Sequence, residues 1–226
     1  MILTLNRKYH RAFNRVREGN FAIDGLLGFD LAGCTVGLVG TGRIGLLTAK
    51  PLAAMGCRIL GCDPHESPQF REFGGTYVDQ QTLFAESNII SLHCPLTPES
   101  YHLVNADSLA QMRDGVMLIN TSRGALIDAE AVITALKSGQ VGYLGIDVYE
   151  QEGDVFYEDL SGEIIGDDVL QLLLTFPNVL VTSHQAYFTD TAMRNIADTT
   201  ITNLDDFAAG RASGNEVRAA GAHGPK

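Results

Sequence analysis

The amino-acid sequence predicts an α/β fold in which a doubly wound parallel sheet is covered by helices on both faces. Three observations carry that expectation. From residue 33 onward short apolar runs alternate with helical segments, the order of βαβ units. The runs are apolar throughout rather than alternately polar, as strands buried on both faces are. A glycine-rich turn joins the first run to a helix.

In chain order, Leu5, Phe13 and Val16 fall at helical spacing and predict an opening amphipathic helix over 1–18, ended near Gly19-Asn20. Strands are expected at 35–39, 58–62, 89–93, 116–120, 144–148 and 179–182, and helices near 43–55, 80–86, 106–112, 128–138 and 189–209. Pro51 lies inside the second of these helical segments, where the missing N–H and the ring favour a kink. The tail from 211 to 226, rich in Gly and Ala, is expected to be mobile.

The 226 residues carry 16 Lys and Arg against 27 Asp and Glu, a net charge of −11. That balance excludes a basic nucleic-acid-binding surface as the default. The charge is uneven: residues 1–18 carry five basic side chains against Glu18, whereas nine carboxylates and no base fall within 147–168. Hydrophobic residues make up 45% of the chain and charged ones 19%, enough apolar material for a sizeable core. No run approaches the ~18 apolar residues of a membrane span, and Arg7 and Lys8 interrupt the start where a signal peptide would be apolar. Cys34, Cys57, Cys62 and Cys94 are scattered without metal-ligand spacing, which fits reduced thiols in a cytoplasmic protein.

Gly40-Thr-Gly42-Arg43-Ile44-Gly45 follows the first strand and opens a helix, and the second strand ends in Asp63, 18 residues beyond Gly45. Three glycines alone are weak evidence, but the strand before, the helix after and the acidic residue at this distance make a dinucleotide-binding fingerprint of the Rossmann type. Gly40 permits the tight turn, Gly42 lets the backbone approach a pyrophosphate, and Gly45 allows close helix–sheet packing. Asp63 can accept hydrogen bonds from ribose hydroxyls and its charge repels a 2′-phosphate, so NAD is favoured over NADP.

Three further strand ends carry functional groups: Arg123 after 116–120, Asp147, Glu150 and Glu152 at or after the end of 144–148, and His184 after 179–182. Open parallel sheets bind ligands along that edge. A guanidinium, a carboxylate and an imidazole offered to one crevice beside a dinucleotide loop describe chemistry that needs all three types.

The chain resembles the D-isomer-specific 2-hydroxyacid dehydrogenases, and among them most closely the fermentative D-lactate dehydrogenases. The matching segments are Leu3-Thr-Leu-Asn-Arg-Lys, the glycine turn, Ser91-Leu-His-Cys-Pro-Leu-Thr-Pro-Glu, Asn120-Thr-Ser-Arg-Gly-Ala-Leu-Ile-Asp, Gly145-Ile-Asp-Val-Tyr-Glu and Ser183-His-Gln-Ala. The long stretch from Phe156 through Asp167-Asp-Val-Leu170, before Phe176-Pro-Asn-Val, resembles the long loop of the lactate type rather than the shorter loop of the phosphoglycerate type. The resemblance implies Arg123, Glu152 and His184 as the catalytic set, and it implies that Asp147 contacts the nicotinamide amide. It also implies cofactor-lining roles for Cys94, Pro95, Thr121 and Ser122 beside the glycine-turn residues, with no metal.

By the same resemblance, 33–185 is the NAD-binding domain, 1–32 an interdomain helix and connector, and 186–210 a helix of the substrate domain. Only remnants of that second domain are then present, about a hundred N-terminal residues of the family pattern being missing. A homodimer is implied for the full-length form. At this stage three functions stay open: reduction of pyruvate to D-lactate, action on another 2-hydroxy acid of the glycerate or phosphoglycerate type, and non-catalytic NAD-dependent interaction. The partner in the first two is a small 2-keto or 2-hydroxy acid, with no nucleic acid and no membrane.

Overall fold

The computed structural model describes residues 1–217. Positions 218–226 of the tail expected to be mobile lie outside the described residues. The chain divides into two compact units, Met1–His184 and Gln185–Lys226.

The first unit is built on seven parallel strands: β1 (Thr35–Val39), β2 (Arg58–Cys62), β3 (Thr76–Tyr77), β4 (Ile89–Leu92), β5 (Val116–Asn120), β6 (Val141–Ile146) and β7 (Val179–Val181). Their order across the sheet is β3-β2-β1-β4-β5-β6-β7. The chain runs outward from β1 to β3 and then returns to place β4 on the other side of β1, so strand order reverses between β1 and β4. Such a reversal opens a crevice outside the carboxyl ends of the strands.

Both faces of the sheet are covered, which is why its strands read as uninterrupted apolar runs. Leu60, Ile90, Leu92 and Leu118 face one core with Leu83, Phe84, Val132, Leu136, Leu170 and Leu173. Val36, Leu38, Ile59, Ile89, Met117 and Ile119 face the other with Leu5, Ala49, Leu52 and Phe70. Neighbouring residues such as Ile89 and Ile90, or Met117 and Leu118, thus point into opposite cores, the period of two that a pleated strand imposes.

The expected opening helix is two helices, α1 (Ile2–Arg7) and α2 (Tyr9–Arg17), divided at Lys8, whose backbone is left-handed with φ +50°. Packing explains the break. Leu5 and Asn6 of α1 are buried, and the Asn6 amide clamps the Phe29 backbone, donating to its oxygen at 2.7 Å and accepting from its nitrogen at 2.8 Å. No residue of α2 is buried. The helix α3 (Arg43–Ala54) runs as one element through the exposed Pro51.

Short elements escaped the sequence pattern: α4 (Pro68–Glu72) and the two-residue β3. Next come α5 (Gln80–Glu86) and α6 (Ala106–Leu109). The latter stops three residues before its expected end, because the Gln140 amide takes the carbonyls of Leu109 and Met112 at 3.2 and 2.9 Å. In α7 (Ala129–Ser138) the Asp128 carboxylate caps Ala131 N at 3.1 Å, and Gly139 ends the helix at φ +87°.

β6 starts three residues before its expected position and stops two before the expected end. Gly142, whose Cβ would stand 2.5 Å from Gly115 O, hides the early part from an apolar pattern. The residues from 168 also form α8 (Asp168–Thr175), capped by Asp167 onto Leu170 N at 2.8 Å, a helix absent from the expected elements. In the second unit α9 spans Asp190–Ala208, with Thr189 as its N-cap.

Candidate active site

Every residue singled out in the first unit lies at the carboxyl edge of the sheet. Gly40 continues β1 at φ +94°, a conformation that favours glycine. A side chain there would also press to 2.6 Å from the backbone of Cys94. Gly45 packs so closely that a Cβ would lie 2.3 Å from Gly40 O. Gly42 differs: a Cβ there meets nothing within 4 Å. It is the N-cap of α3, which has no side-chain cap and no acidic residue in its first turn.

The first amides of a twelve-residue helix thus open onto free space with exposed Arg43 and Ile44 beside them. Orphan N–H groups and the positive end of the helix dipole make this cradle fit an anionic pyrophosphate. At the end of β2, Asp63 is anchored by Thr41 N at 2.6 Å on one oxygen and by His65 N at 2.8 Å on the other. Thr41 is itself buried and shares a 2.7 Å hydrogen bond with Tyr77 Oη. These fits suit the dinucleotide that the glycine turn implied.

At the end of β4, burial pushes the His93 imidazole down to about 4, so its ring is neutral at physiological pH, bonded to Ser91 Oγ at 3.0 Å. Burial likewise pushes the Cys94 thiol up. The Cys94 carbonyl accepts from Ser122 Oγ at 2.7 Å, tying the end of β4 to the turn after β5. Pro95, whose carbonyl accepts from Ser100 Oγ at 2.8 Å, is exposed, and Thr121 is half-buried.

Asn120, fully buried at the end of β5, shapes that turn from within. Its Oδ1 accepts from Ser122 N at 3.0 Å and its Nδ2 donates to Arg123 O at 2.8 Å. The Arg123 side chain emerges exposed, its Nη1 donating to Ser122 O at 2.7 Å. Gly124 then passes against the turn after β6: a Cβ there would stand 2.1 Å from Tyr149 C and 2.3 Å from Glu150 N.

That second turn carries Glu152, in the 3-10 segment Glu152–Asp154. Its Oε2 accepts from Tyr149 N at 3.0 Å and its Oε1 meets His184 Nδ1 at 2.9 Å. Buried Asp147 accepts from Thr182 Oγ1, and its carbonyl accepts from His184 N at 2.7 Å. His184 is held at φ +51°. Tyr157 adds a ring 6.2 Å from the imidazole and a 3.4 Å hydrogen bond to His184 O.

The structure therefore brings Glu152 and His184 into direct contact and puts the Arg123 turn against the Glu152 turn. The Arg123 guanidinium makes no ion pair among the described residues. Because a carboxylate only accepts, His184 Nδ1 donates to Glu152. Asn120, Thr41 and Tyr77 were not among the expected site residues. Asn120 stood in the quoted Asn-Thr-Ser-Arg-Gly segment, and its tendency to bond its own following backbone was the available signal. Tyr77 gave none, because β3 is two residues long.

Comparison with known proteins gives the family. Residues 1–186 match the NAD-binding domain of the D-isomer-specific 2-hydroxyacid dehydrogenases. The chain is 50% identical over 217 residues to the D-lactate dehydrogenase of Escherichia coli, covering 96% of this chain and 66% of that protein. The pyruvate reductase of Chlamydomonas reinhardtii superposes with a TM-score of 0.92 at 43% identity, over 95% of this chain and 65% of that one. The D-lactate dehydrogenase of Aquifex aeolicus, solved with NAD and lactic acid, superposes with a TM-score of 0.85 at 35% identity, over 92% and 64%. The chain belongs to the D-isomer-specific 2-hydroxyacid dehydrogenases, whose domain of this kind binds NAD. It spans just under two thirds of the length of these relatives.

The contact at Gly124 yields a direct expectation. Gly124→Ala forces the turns of Arg123 and Glu152 apart and costs on the order of 1–3 kcal/mol of stability, the range of overpacked sites. Urea unfolding measures it, and a loss below about 0.5 kcal/mol, the scatter of neutral surface changes, contradicts the close packing of the two turns.

Proposed function

We propose that the protein carrying this chain is an NAD-dependent D-lactate dehydrogenase that reduces pyruvate reversibly to D-lactate. The observation that carries the reading is the 2.9 Å pair of His184 Nδ1 and Glu152 Oε1 set across closely packed turns from Arg123. The names of its relatives, including the one solved with NAD and lactic acid, support the choice of substrate.

When bound, NADH supplies the hydride for the keto carbon. The residues of this chain perform the rest. The N-terminal amides of α3 take the pyrophosphate, Asp63 takes the adenosine ribose, and Asp147 takes the nicotinamide amide. Cys94, Pro95, Thr121 and Ser122 line the cofactor between them. Arg123 offers fixed parallel donors to the substrate, stabilising negative charge as it grows on the carbonyl oxygen. His184 gives its Nε2 proton to that oxygen in reduction and removes it from the hydroxyl in oxidation. Glu152 holds the ring in the productive tautomer through Nδ1.

The same reading assigns 33–185 to the NAD-binding domain, 1–32 to an interdomain helix and connector, and 186–210 to the substrate domain. Exposed Tyr9, Phe13 and Val16 on α2 support a homodimer, since apolar side chains grouped on one helix mark association surfaces. Four thiols outside any disulfide support a cytoplasmic setting. None of the described helices is long and apolar enough to cross a membrane.

The test is oxidation of NADH with pyruvate, followed at 340 nm, in the wild-type protein and in Arg123→Lys. The substitution keeps the charge and loses the fork. Turnover is expected to fall on the order of a hundred-fold or more, the scale for removing a donor to a developing oxyanion, with NADH affinity little changed. Wild-type turnover in the variant removes Arg123 from the reaction, and NADH binding without reduction of any 2-keto acid removes the dehydrogenase reading.

The cofactor cradle is tested separately. Because a Cβ at Gly42 meets nothing, Gly42→Ala is expected to shift the melting temperature by less than about 3 °C, under ~1 kcal/mol for a chain of this size. The same methyl fills the space needed by the pyrophosphate, so NADH affinity measured by fluorescence is expected to drop about ten-fold or more, on the order of 1.4 kcal/mol or above. Unchanged affinity moves the phosphate site elsewhere.

A further inference from the structure

A second histidine–glutamate pair stands beside the first and takes no part in the chemistry above. His102 Nε2 lies 3.0 Å from Glu150 Oε2, and the other carboxylate oxygen accepts from Tyr101 Oη at 3.2 Å. The rings of Tyr101 and His102 stack with centroids 4.0 Å apart and planes 15° from parallel. His102 and Glu150 are about three-quarters buried, with 29% and 26% of their side-chain surface exposed.

His102 also touches the Arg123 turn, through its backbone. Its N–H donates to Ala125 O at 2.9 Å, within the 3-10 segment Gly124–Leu126 that directly follows Arg123. The pairing continues from Val104 N to Leu126 O at 2.9 Å and from Asp128 N to Val104 O at 2.9 Å, with a parallel bridge between Val104 and Ile127. The residue is held from its other side as well, since its carbonyl accepts from Asn105 Nδ2 at 2.9 Å.

One residue is thus bonded by its main chain to the segment after Arg123 and by its ring to Glu150, two positions before Glu152. It does so at φ +48°, a left-handed backbone that glycine adopts freely and other residues adopt rarely. His184 shares this feature at φ +51°. A residue kept in a sparsely populated conformation and satisfied on every side points to a function of its side chain.

We propose that His102 is a positioning residue for the dehydrogenase reaction, a strut that fixes the turn bearing Arg123 at its distance from the turn bearing Glu152. The inference rests on the catalytic reading given above. The strut complements the Gly124 contact, in which the two turns touch backbone to backbone: Gly124 sets how near they come, and His102 sets their register. Small misplacements of such groups are costly, with about 1 Å worth on the order of a hundred-fold in rate.

The experiment compares wild type, His102→Gly, Glu150→Ala and His102→Gln. Glycine keeps the backbone conformation and removes the ring, alanine removes the ring's partner at the far end, and glutamine restores a donor near Nε2. The first readout is the ¹⁵N spectrum of the His184 ring, where a protonated Nδ1 on Glu152 is one defined tautomer in wild type. It is expected to become a mixture in His102→Gly and in Glu150→Ala and to return toward wild type in His102→Gln.

The second readout is kcat with pyruvate. It is expected to fall about ten- to a hundred-fold in the first two variants while the NADH dissociation constant stays within about two-fold, the mark of lost alignment rather than lost binding. If His102→Gly does not fold, Glu150→Ala decides by the same signals. A wild-type His184 spectrum and wild-type kcat in either folded variant overturn the strut. If wild type itself reduces no 2-keto acid, the functional reading fails, and the ring spectrum still decides the positioning claim.

Discussion

Two backbone hydrogen bonds join three strand ends in series: Asp147 N to Asn120 O at 2.9 Å and His184 N to Asp147 O at 2.7 Å. They run from Asn120, the last residue of β5, to Asp147, one residue past β6, and on to His184, three residues past β7. Arg123, Glu152 and His184 all leave the fold within a few residues of that line. The geometry of the candidate site is therefore an extension of the sheet, anchored on buried strands. Packing on both faces fixes the strands, the strands fix Asn120 and Asp147, and these fix the turns.

The polar side chains at this edge are disposed to bind outward. Asn120 commits both ends of its amide to its own turn, and the Arg123 side chain emerges exposed with Nη1 on Ser122 O. Thr41 and Tyr77 spend their hydroxyls on each other beside Asp63. Just past β4 the imidazole of His93 is neutral through burial. Burial, and after it the bond to Asp167, pushes the Tyr149 phenol up. It stays a protonated donor, holding the Glu152 turn to the start of α8 at 2.8 Å.

Much of this was legible in the sequence because the signals were local. The glycine turn and the acidic residue after β2 each follow from one residue's conformational or chemical preference. What escaped depends on partners distant in sequence. The break at Lys8 follows from Asn6 clamping Phe29, 23 residues away. The early stop of α6 follows from Gln140, and the early start of β6 was masked by Gly142. α8 is eight residues long, and its cap, Asp167, stands among the nine carboxylates of 147–168 with nothing local to single it out. At the site, the resemblance to a family pointed to Arg123, Glu152 and His184. The bonds of Tyr149 to Asp167 and of His102 to Ala125 join segments far apart in sequence, and no local signal gives them.

The central claim is that the glycine turn and the three later strand ends face one crevice. Hydrogen–deuterium exchange with and without saturating NADH tests it directly, because both regions must be slowed by a single ligand. Protection is expected at 40–46 and, in the same titration, at 120–124 and 147–152. Protection confined to the glycine turn, with the strand ends of β5 and β6 unchanged, contradicts a shared site and separates the cofactor cradle from Arg123 and Glu152.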